Sequence, residues 1–134
     1  MSNLAAFRPP RRLRVLVADD HDLFAETLSL VLAAHGVEVV GRAADGEEAV
    51  RLARSEQPDV VLMDVHMPHV DGIAATSRIA AELPDVRVLM VSSSNAGEDI
   101  VAAQAAGAVG YVLKDAPLLD MLTALVAADG RIAA

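Results

Sequence analysis

The chain has 134 residues, a formal net charge of −8, no cysteine, and 54% hydrophobic but only 2% aromatic residues. Its length implies one domain with a core of Ala, Val, Leu, Ile and Met, and the missing cysteine excludes a disulfide framework or a thiolate metal site. The acidic balance argues against nonspecific DNA binding, and no apolar run approaches the roughly 18–20 residues of a membrane span, so a soluble cytoplasmic domain is expected.

Residues 1–12 read as a flexible N-terminal tail. Pro9-Pro10 bars regular structure, and Met1–Pro10 lacks the apolar region of a signal peptide. Arg8, Arg11, Arg12 and Arg14 form a small basic cluster, read as solvated rather than as a phosphate contact. Leu13–Ala18 is a first strand, ending on Asp19-Asp20-His21. Asp22 is positioned to cap a helix to about Ala34, with Phe24, Leu28 and Val31 as its apolar stripe and Gly36 past its end. Val37–Ala43, interrupted by Glu38 and Arg42, reads as a strand near an edge. Asp45 caps a second helix with Glu47 and Glu48 in its first turn, and Gln57-Pro58 closes that unit.

Val60-Val61-Leu62-Met63 is an unbroken apolar run, the pattern of a strand buried on both faces, and it stops on Asp64. Pro68 cannot continue a ladder, and Asp71-Gly72 supplies turn chemistry before a helix to Leu83. Val86–Val91 is a fourth strand that stops on Ser92-Ser93-Ser94, where Ser93 or Ser94 reads as a helix-entry cap. The alanine-rich Ala96–Ala106 helix has few large side chains and is expected to be a mobile element. Gly110–Leu113 is a short fifth strand ending on Lys114, and Asp115 is placed to cap a last helix, Ala116–Ala128, with Pro117 in its first turn. Five strands alternating with five helices predict an α/β domain: a doubly wound parallel sheet with right-handed crossovers.

In a parallel sheet the strand tips share one edge. That edge then carries Asp19, Asp20, Asp64, Ser92 and Lys114. Three carboxylates against one ammonium crowd like charges and raise at least one pKa unless a cation fills the gap. Oxygen ligands with room for water suit Mg²⁺. Such a site suits phosphoryl transfer to the carboxylate: an ionised Asp64 is already a nucleophile, Lys114 and the metal neutralise the equatorial oxygens, and the Ser92 hydroxyl can bond an attached phosphoryl group. An aspartyl hydrolase of external phosphoesters is the competing class. It commonly needs a second carboxylate just after the nucleophile, where this chain has Val65 and His66. His21, His35 and His69 read as surface or capping residues, and Met63 and Met90 as core filler.

Asp19-Asp20-His21, the stretch Met63–Gly72, Ser92-Ser93 and the stretch Gly107–Asp115 together resemble the response-regulator receiver domain of bacterial two-component systems, over roughly residues 13–128. Ala44–Ala49 and Gly110–Asp115 are most similar to the NarL/FixJ-type subfamily. The resemblance implies a flavodoxin-like (βα)5 fold with strand order 2-1-3-4-5. It implies that Asp64 is the phosphoacceptor, serving a sensor histidine kinase, and that the domain is a signalling phosphoacceptor rather than an enzyme. It implies that Asp20, Asp64 and the His66 backbone carbonyl bind Mg²⁺, with Asp19 acting directly or through water, and that Lys114 pairs with the phosphoryl group. Ser92 and Tyr111 are then the switch pair, biasing the surface built from the fourth helix, fifth strand and fifth helix. The family usually dimerises on activation and reaches DNA only through a C-terminal helix-turn-helix domain. Residues 129–134 stand where a linker would begin, so a receiver separated from such an output domain is expected, with a stand-alone receiver or phosphorelay module as the alternative.

Overall fold

The computed structural model describes residues 11–131. In chain order the elements are β1 (Arg14–Ala18), α1 (Asp22–Ala34), β2 (Glu38–Ala43), α2 (Gly46–Glu56), β3 (Val60–Met63), α3 (Gly72–Glu82), β4 (Arg87–Ser92), α4 (Gly97–Ala106), β5 (Gly110–Leu113) and α5 (Leu118–Ala128). The five strands form one parallel sheet in the order β2-β1-β3-β4-β5. The interrupted strand β2 and the short strand β5 are its two edges, and β3 is buried along its whole length.

Side-chain alternation divides the core. Leu16, Val61, Met63, Val88 and Met90 point to one face and pack with Ala49, Val50 and Ala53 of α2, Ala75 and Ile79 of α3, and Ala103 of α4. Val15, Val17, Val60, Leu62, Leu89, Val91 and Val112 point to the other, against Ala25, Leu28 and Leu32 of α1 and Met121, Leu125 and Ala128 of α5. Burial on both faces explains why β3 shows no apolar/polar alternation. In α4 the only buried side chain is Ala103, so that helix rests on the sheet through one small residue.

Capping explains most helix starts and corrects two expectations. Asp45 accepts the Glu48 amide at 2.8 Å, while the Glu48 carboxylate reaches back to the Ala44 amide at 2.8 Å. Asp71 accepts the Ala74 amide at 2.8 Å and starts α3. Asp22, however, is the first residue of α1 rather than its cap; His21 occupies the cap position without a side-chain bond. Asp115 caps nothing: the Ala116 amide bonds the Leu113 carbonyl in a turn, and α5 begins after Pro117. Ser94, not Ser93, serves the entry to α4, accepting the Ala96 amide at 3.3 Å, although the cap position itself is Ala96. No cis peptide bond occurs among the described residues, so Lys114–Asp115 is trans.

Two further features had no local signal in the sequence. The β1–β2 register slips between Val15/Val39 and Leu16/Gly41, a bulge that leaves Val40 unpaired. The basic cluster is solvated only in part: Arg12 is exposed, whereas Arg11 and Arg14 are bonded. The Arg11 guanidinium grips Asp59 in two bonds of 2.7 and 2.8 Å, and the Arg14 amide adds a third at 2.8 Å. Arg8 lies outside the described residues.

Candidate functional site

The sheet ladder continues one residue past several strands and sets the site's floor. Asp19 N–H bonds the Ala43 carbonyl, Asp64 N–H the Ala18 carbonyl, and Lys114 N–H the Ser92 carbonyl, each at 2.9 Å. Asp19, Asp64 and Lys114 therefore stand side by side at the carboxyl edge because the strands beneath them are in register. The loop after Asp64 is held tightly. A Cβ on Gly72 would lie 1.7 Å from the Asp64 carbonyl oxygen, and one on Gly46 would lie 2.1 Å from the Val70 carbonyl oxygen. Only glycine permits these two approaches.

Lys114 starts on the edge strand and crosses β4 to reach both acids. Its Nζ lies 2.7 Å from Asp19 Oδ2 and 3.1 Å from Asp64 Oδ2, with both carboxylates buried. The Phe24 ring lies 4.6 Å from the same Nζ, a cation–π contact. Asp20 completes the acidic group: ligand atoms of Asp19, Asp20, His21 and Asp64 all lie within 4.8 Å of one another. Burial, then the neighbouring Asp19 charge, push the Asp64 carboxyl pKa up against the pull of Lys114 and the His66 amide. Burial works against the Lys114 charge, but its bond to Asp19 and the charge of Asp64 outweigh it and leave the ammonium pKa raised. Excess negative charge with hard oxygen donors fits a divalent cation such as Mg²⁺.

The sequence-expected residues therefore divide into two groups. Asp19, Asp20, Asp64 and Lys114 converge. Ser92 is fully buried next door on β4, but its hydroxyl accepts the Ser94 amide at 3.1 Å and makes no bond to Asp64. The Tyr111 hydroxyl donates to the Ser94 carbonyl at 2.8 Å, so the ring is turned toward the β4–α4 loop. The His66 ring reaches α4, with Nε2 3.3 Å from Asp99 Oδ2, and Ser94 Oγ donates to that same carboxylate oxygen at 2.5 Å. His35 caps the end of α1 through the Val31 carbonyl.

Sequence reasoning missed two participants. Phe24 was legible only as part of an apolar stripe, yet it also lies against Lys114. His21 has an exposed ring, as expected of a surface residue, but its Nδ1 turns inward to 3.2 Å from Lys114 Nζ. The signal available was its place directly after the paired acids.

A family model described as the response regulator receiver domain matches residues 15–126. The chain belongs to the response-regulator receiver family. This receiver is similar to the response regulator GacA of Pseudomonas viridiflava, 42% identical over 114 residues that make up 84% of this chain and 53% of GacA. It is similar to the transcriptional regulatory protein LiaR of Bacillus subtilis, 39% identical over 118 residues, 87% of this chain and 56% of LiaR. The chain thus spans about half the length of the curated relatives it matches. The signal receiver domain of the putative response regulator NarL from Mycobacterium tuberculosis superposes with a TM-score of 0.85 at 35% identity, covering 91% of this chain and 100% of that one. A chain of the CheX–CheY–BeF3–Mg²⁺ complex from Borrelia burgdorferi superposes at 0.81 with 27% identity, over 86% of this chain and 87% of that one. Receivers are phosphoacceptor signalling modules, and the matching relatives include transcriptional regulators. Among the described residues no helix is long and apolar enough to cross a membrane.

Proposed function

We propose that Asp64 accepts a phosphoryl group from a sensor histidine kinase and that the charge change switches the α4–β5–α5 surface. The observation that carries this reading is Lys114 bridging Asp19 and Asp64, with Asp20 beside them on the same sheet edge. An Asp64 carboxylate oxygen attacks phosphorus and forms the new O–P bond. The donor's bond to phosphorus breaks with its electron pair, and the leaving group takes a proton from solvent. Lys114 neutralises a phosphoryl oxygen as charge develops. Asp19, Asp20, Asp64 and the His66 carbonyl are the residues that would hold Mg²⁺, which supplies further charge neutralisation when bound.

Ser92 is the hydroxyl set to bond the attached phosphoryl group. Its oxygen accepts the Ser94 amide, which leaves its O–H to donate to a phosphoryl oxygen, and Tyr111 is bonded to the same residue's carbonyl. Ser94 therefore joins the two switch side chains through its backbone. Residues 13–128 form the receiver unit, and the residues after it lead toward an output domain of the kind that would account for the relatives' greater length. DNA contact, dimerisation on activation and a cytoplasmic location belong to this same reading. So does the absence of turnover beyond phosphoryl uptake and slow self-hydrolysis.

Incubation with Mg²⁺ and a small-molecule phosphodonor tests the reading by intact-mass measurement. Wild type should gain one phosphoryl mass and Asp64→Asn none. Wild type that takes up nothing, or equal uptake by both proteins, rejects Asp64 as the acceptor.

A further inference from the structure

An ammonium has three N–H donors and no lone pair. The Lys114 ammonium faces three acceptors: Asp19 Oδ2 at 2.7 Å, Asp64 Oδ2 at 3.1 Å and His21 Nδ1 at 3.2 Å. The Phe24 ring covers a further side. Since Lys114 can only donate, a bond between the two requires Nδ1 as acceptor and a ring that carries its proton on Nε2, although Asp20 Oδ1 at 3.8 Å and Asp64 Oδ2 at 4.0 Å also face Nδ1. Nδ1 also lies 3.3 Å from Asp19 Oδ1, but that oxygen takes the His21 amide at 2.9 Å, and of the ring's close approaches only the one to Lys114 is a hydrogen bond. His21 holds the cap position of α1 by its backbone alone. Its side chain, 66% exposed, is therefore not committed to holding the helix.

We propose that His21 is a positioning residue for Lys114: a neutral third acceptor that aims the ammonium across Asp19 and Asp64 and gives way when a phosphoryl oxygen arrives. The inference rests on the phosphoacceptor reading of Asp64. With all three donors engaged, a phosphoryl oxygen can be bonded only by displacing one acceptor. As the donor docks, before the O–P bond forms, Asp19 and Asp64 are both still carboxylates, and an ammonium holds a carboxylate more strongly than a neutral ring nitrogen. His21 is the one acceptor of the three that is not a carboxylate, and its exposed ring meets water as soon as it lets go. It is the partner that leaves. Until then it stops the long lysine side chain from sampling positions away from the acids, so the ordering of that arm is done before the donor binds.

Nitrogen NMR of the whole chain reads the arrangement directly. In the unphosphorylated protein His21 should be the Nε2–H tautomer, with Nδ1 showing a through-bond coupling to Lys114 Nζ. Phosphorylation with Mg²⁺ and the phosphodonor should abolish that coupling. A His21 ring carrying its proton on Nδ1, or a coupling that survives phosphorylation, overturns the proposal. In kinetics, His21→Ala should slow phosphoryl uptake by about threefold to tenfold, the range expected for one hydrogen bond at a solvent-exposed side chain. His21→Asn, whose side chain places an acceptor near Nδ1, should recover most of the rate, and the melting temperature should not move in either variant. An unchanged rate in His21→Ala, or a loss in His21→Asn as large as in His21→Ala, rejects the role. Wild type that takes up no phosphoryl group would reject the phosphoacceptor reading instead, and the tautomer and coupling would still decide whether His21 orients Lys114.

Discussion

Asp64 sits beside Asp19 at some expense of stability. Burial and the adjacent Asp19 charge raise its folded pKa above the ordinary carboxylate value. The native state therefore binds that proton more tightly than the unfolded chain does. Stability falls as pH rises from the unfolded pKa through the folded one and stays reduced above it. Asp64→Asn keeps an oxygen acceptor for Lys114 but removes the crowded charge. It should stabilise the protein at neutral pH by about 1 kcal/mol, roughly 3 °C in melting temperature. The advantage should vanish below the unfolded carboxylate pKa, which thermal melts at two pH values will show. Gly72 lies at the opposite limit. A methyl there would sit 1.7 Å from the Asp64 carbonyl oxygen, a rigid backbone atom that cannot step aside. Gly72→Ala should destabilise by at least about 2–3 kcal/mol in denaturant melts, and it should lower phosphoryl uptake in the fraction that remains folded.

At the scale of elements, α4 is the part of the sheet's cover that packing holds least. Ala103 is its one buried side chain, while Val101 is largely exposed. Polar tethers at its first turn take over from packing: Asp99 receives Ser94 Oγ at 2.5 Å and stands 3.3 Å from the His66 ring on the β3–α3 loop. Ser94 also bonds Ser92 and Tyr111, so one serine links those two side chains to the first turn of α4. Asp99→Ala should speed amide hydrogen exchange in α4 roughly threefold to tenfold, the effect of losing a bond or two, and leave α1 and α5 as they were. Uniform exchange across all five helices would contradict this. Most elements were legible because four of the five strands are apolar runs that stop on a polar residue: Ala18 before Asp19, Met63 before Asp64, Val91 before Ser92, Leu113 before Lys114. The tethers were not. His66 and Asp99 are far apart in sequence, and no periodicity reports which way a ring turns at a loop's surface. The false caps, Asp22 and Asp115, failed for a related reason. A cap is a backbone conformation one residue outside the helix, and composition locates it only to within a residue or two.

Across the whole molecule the two ends of the sheet are differently built. The carboxyl edge gathers excess negative charge, whereas the opposite edge neutralises its own. There Arg11 and the Arg14 amide converge on Asp59, Arg131 pairs with Asp129 at 2.9 Å, and Arg131 also donates to the Arg11 carbonyl at 2.7 Å. This clasp joins the segment before β1, the start of β3 and the segment after α5. No local sequence signal reveals it, because Arg11 and Asp59 meet only once the strands are ordered. Burial works against the Asp59 charge, but the Arg11 bonds and the Arg14 amide outweigh it and hold the carboxyl below its usual pKa. A depressed folded pKa gives stability that is present above the unfolded value and is lost as pH falls through the folded one, so the clasp should fail only in acid. Asp59 is nearly buried, at 9% exposure, whereas Arg11 is 57% exposed, so solvent screening limits the gain. Asp59→Ala should therefore cost about 1–2 kcal/mol at neutral pH, the loss shrinking as pH falls below the ordinary carboxylate range and through the lowered folded pKa. Hydrogen exchange should rise together at residues 11–14 and 129–131, since Arg11, gripped by Asp59, takes the Arg131 guanidinium on its carbonyl, and Arg131 itself lies 4.0 Å from Asp59. Loosening at one end alone would mean that the two arginines act as separate pairs, and the phosphoryl uptake rate at the far edge should be unchanged either way.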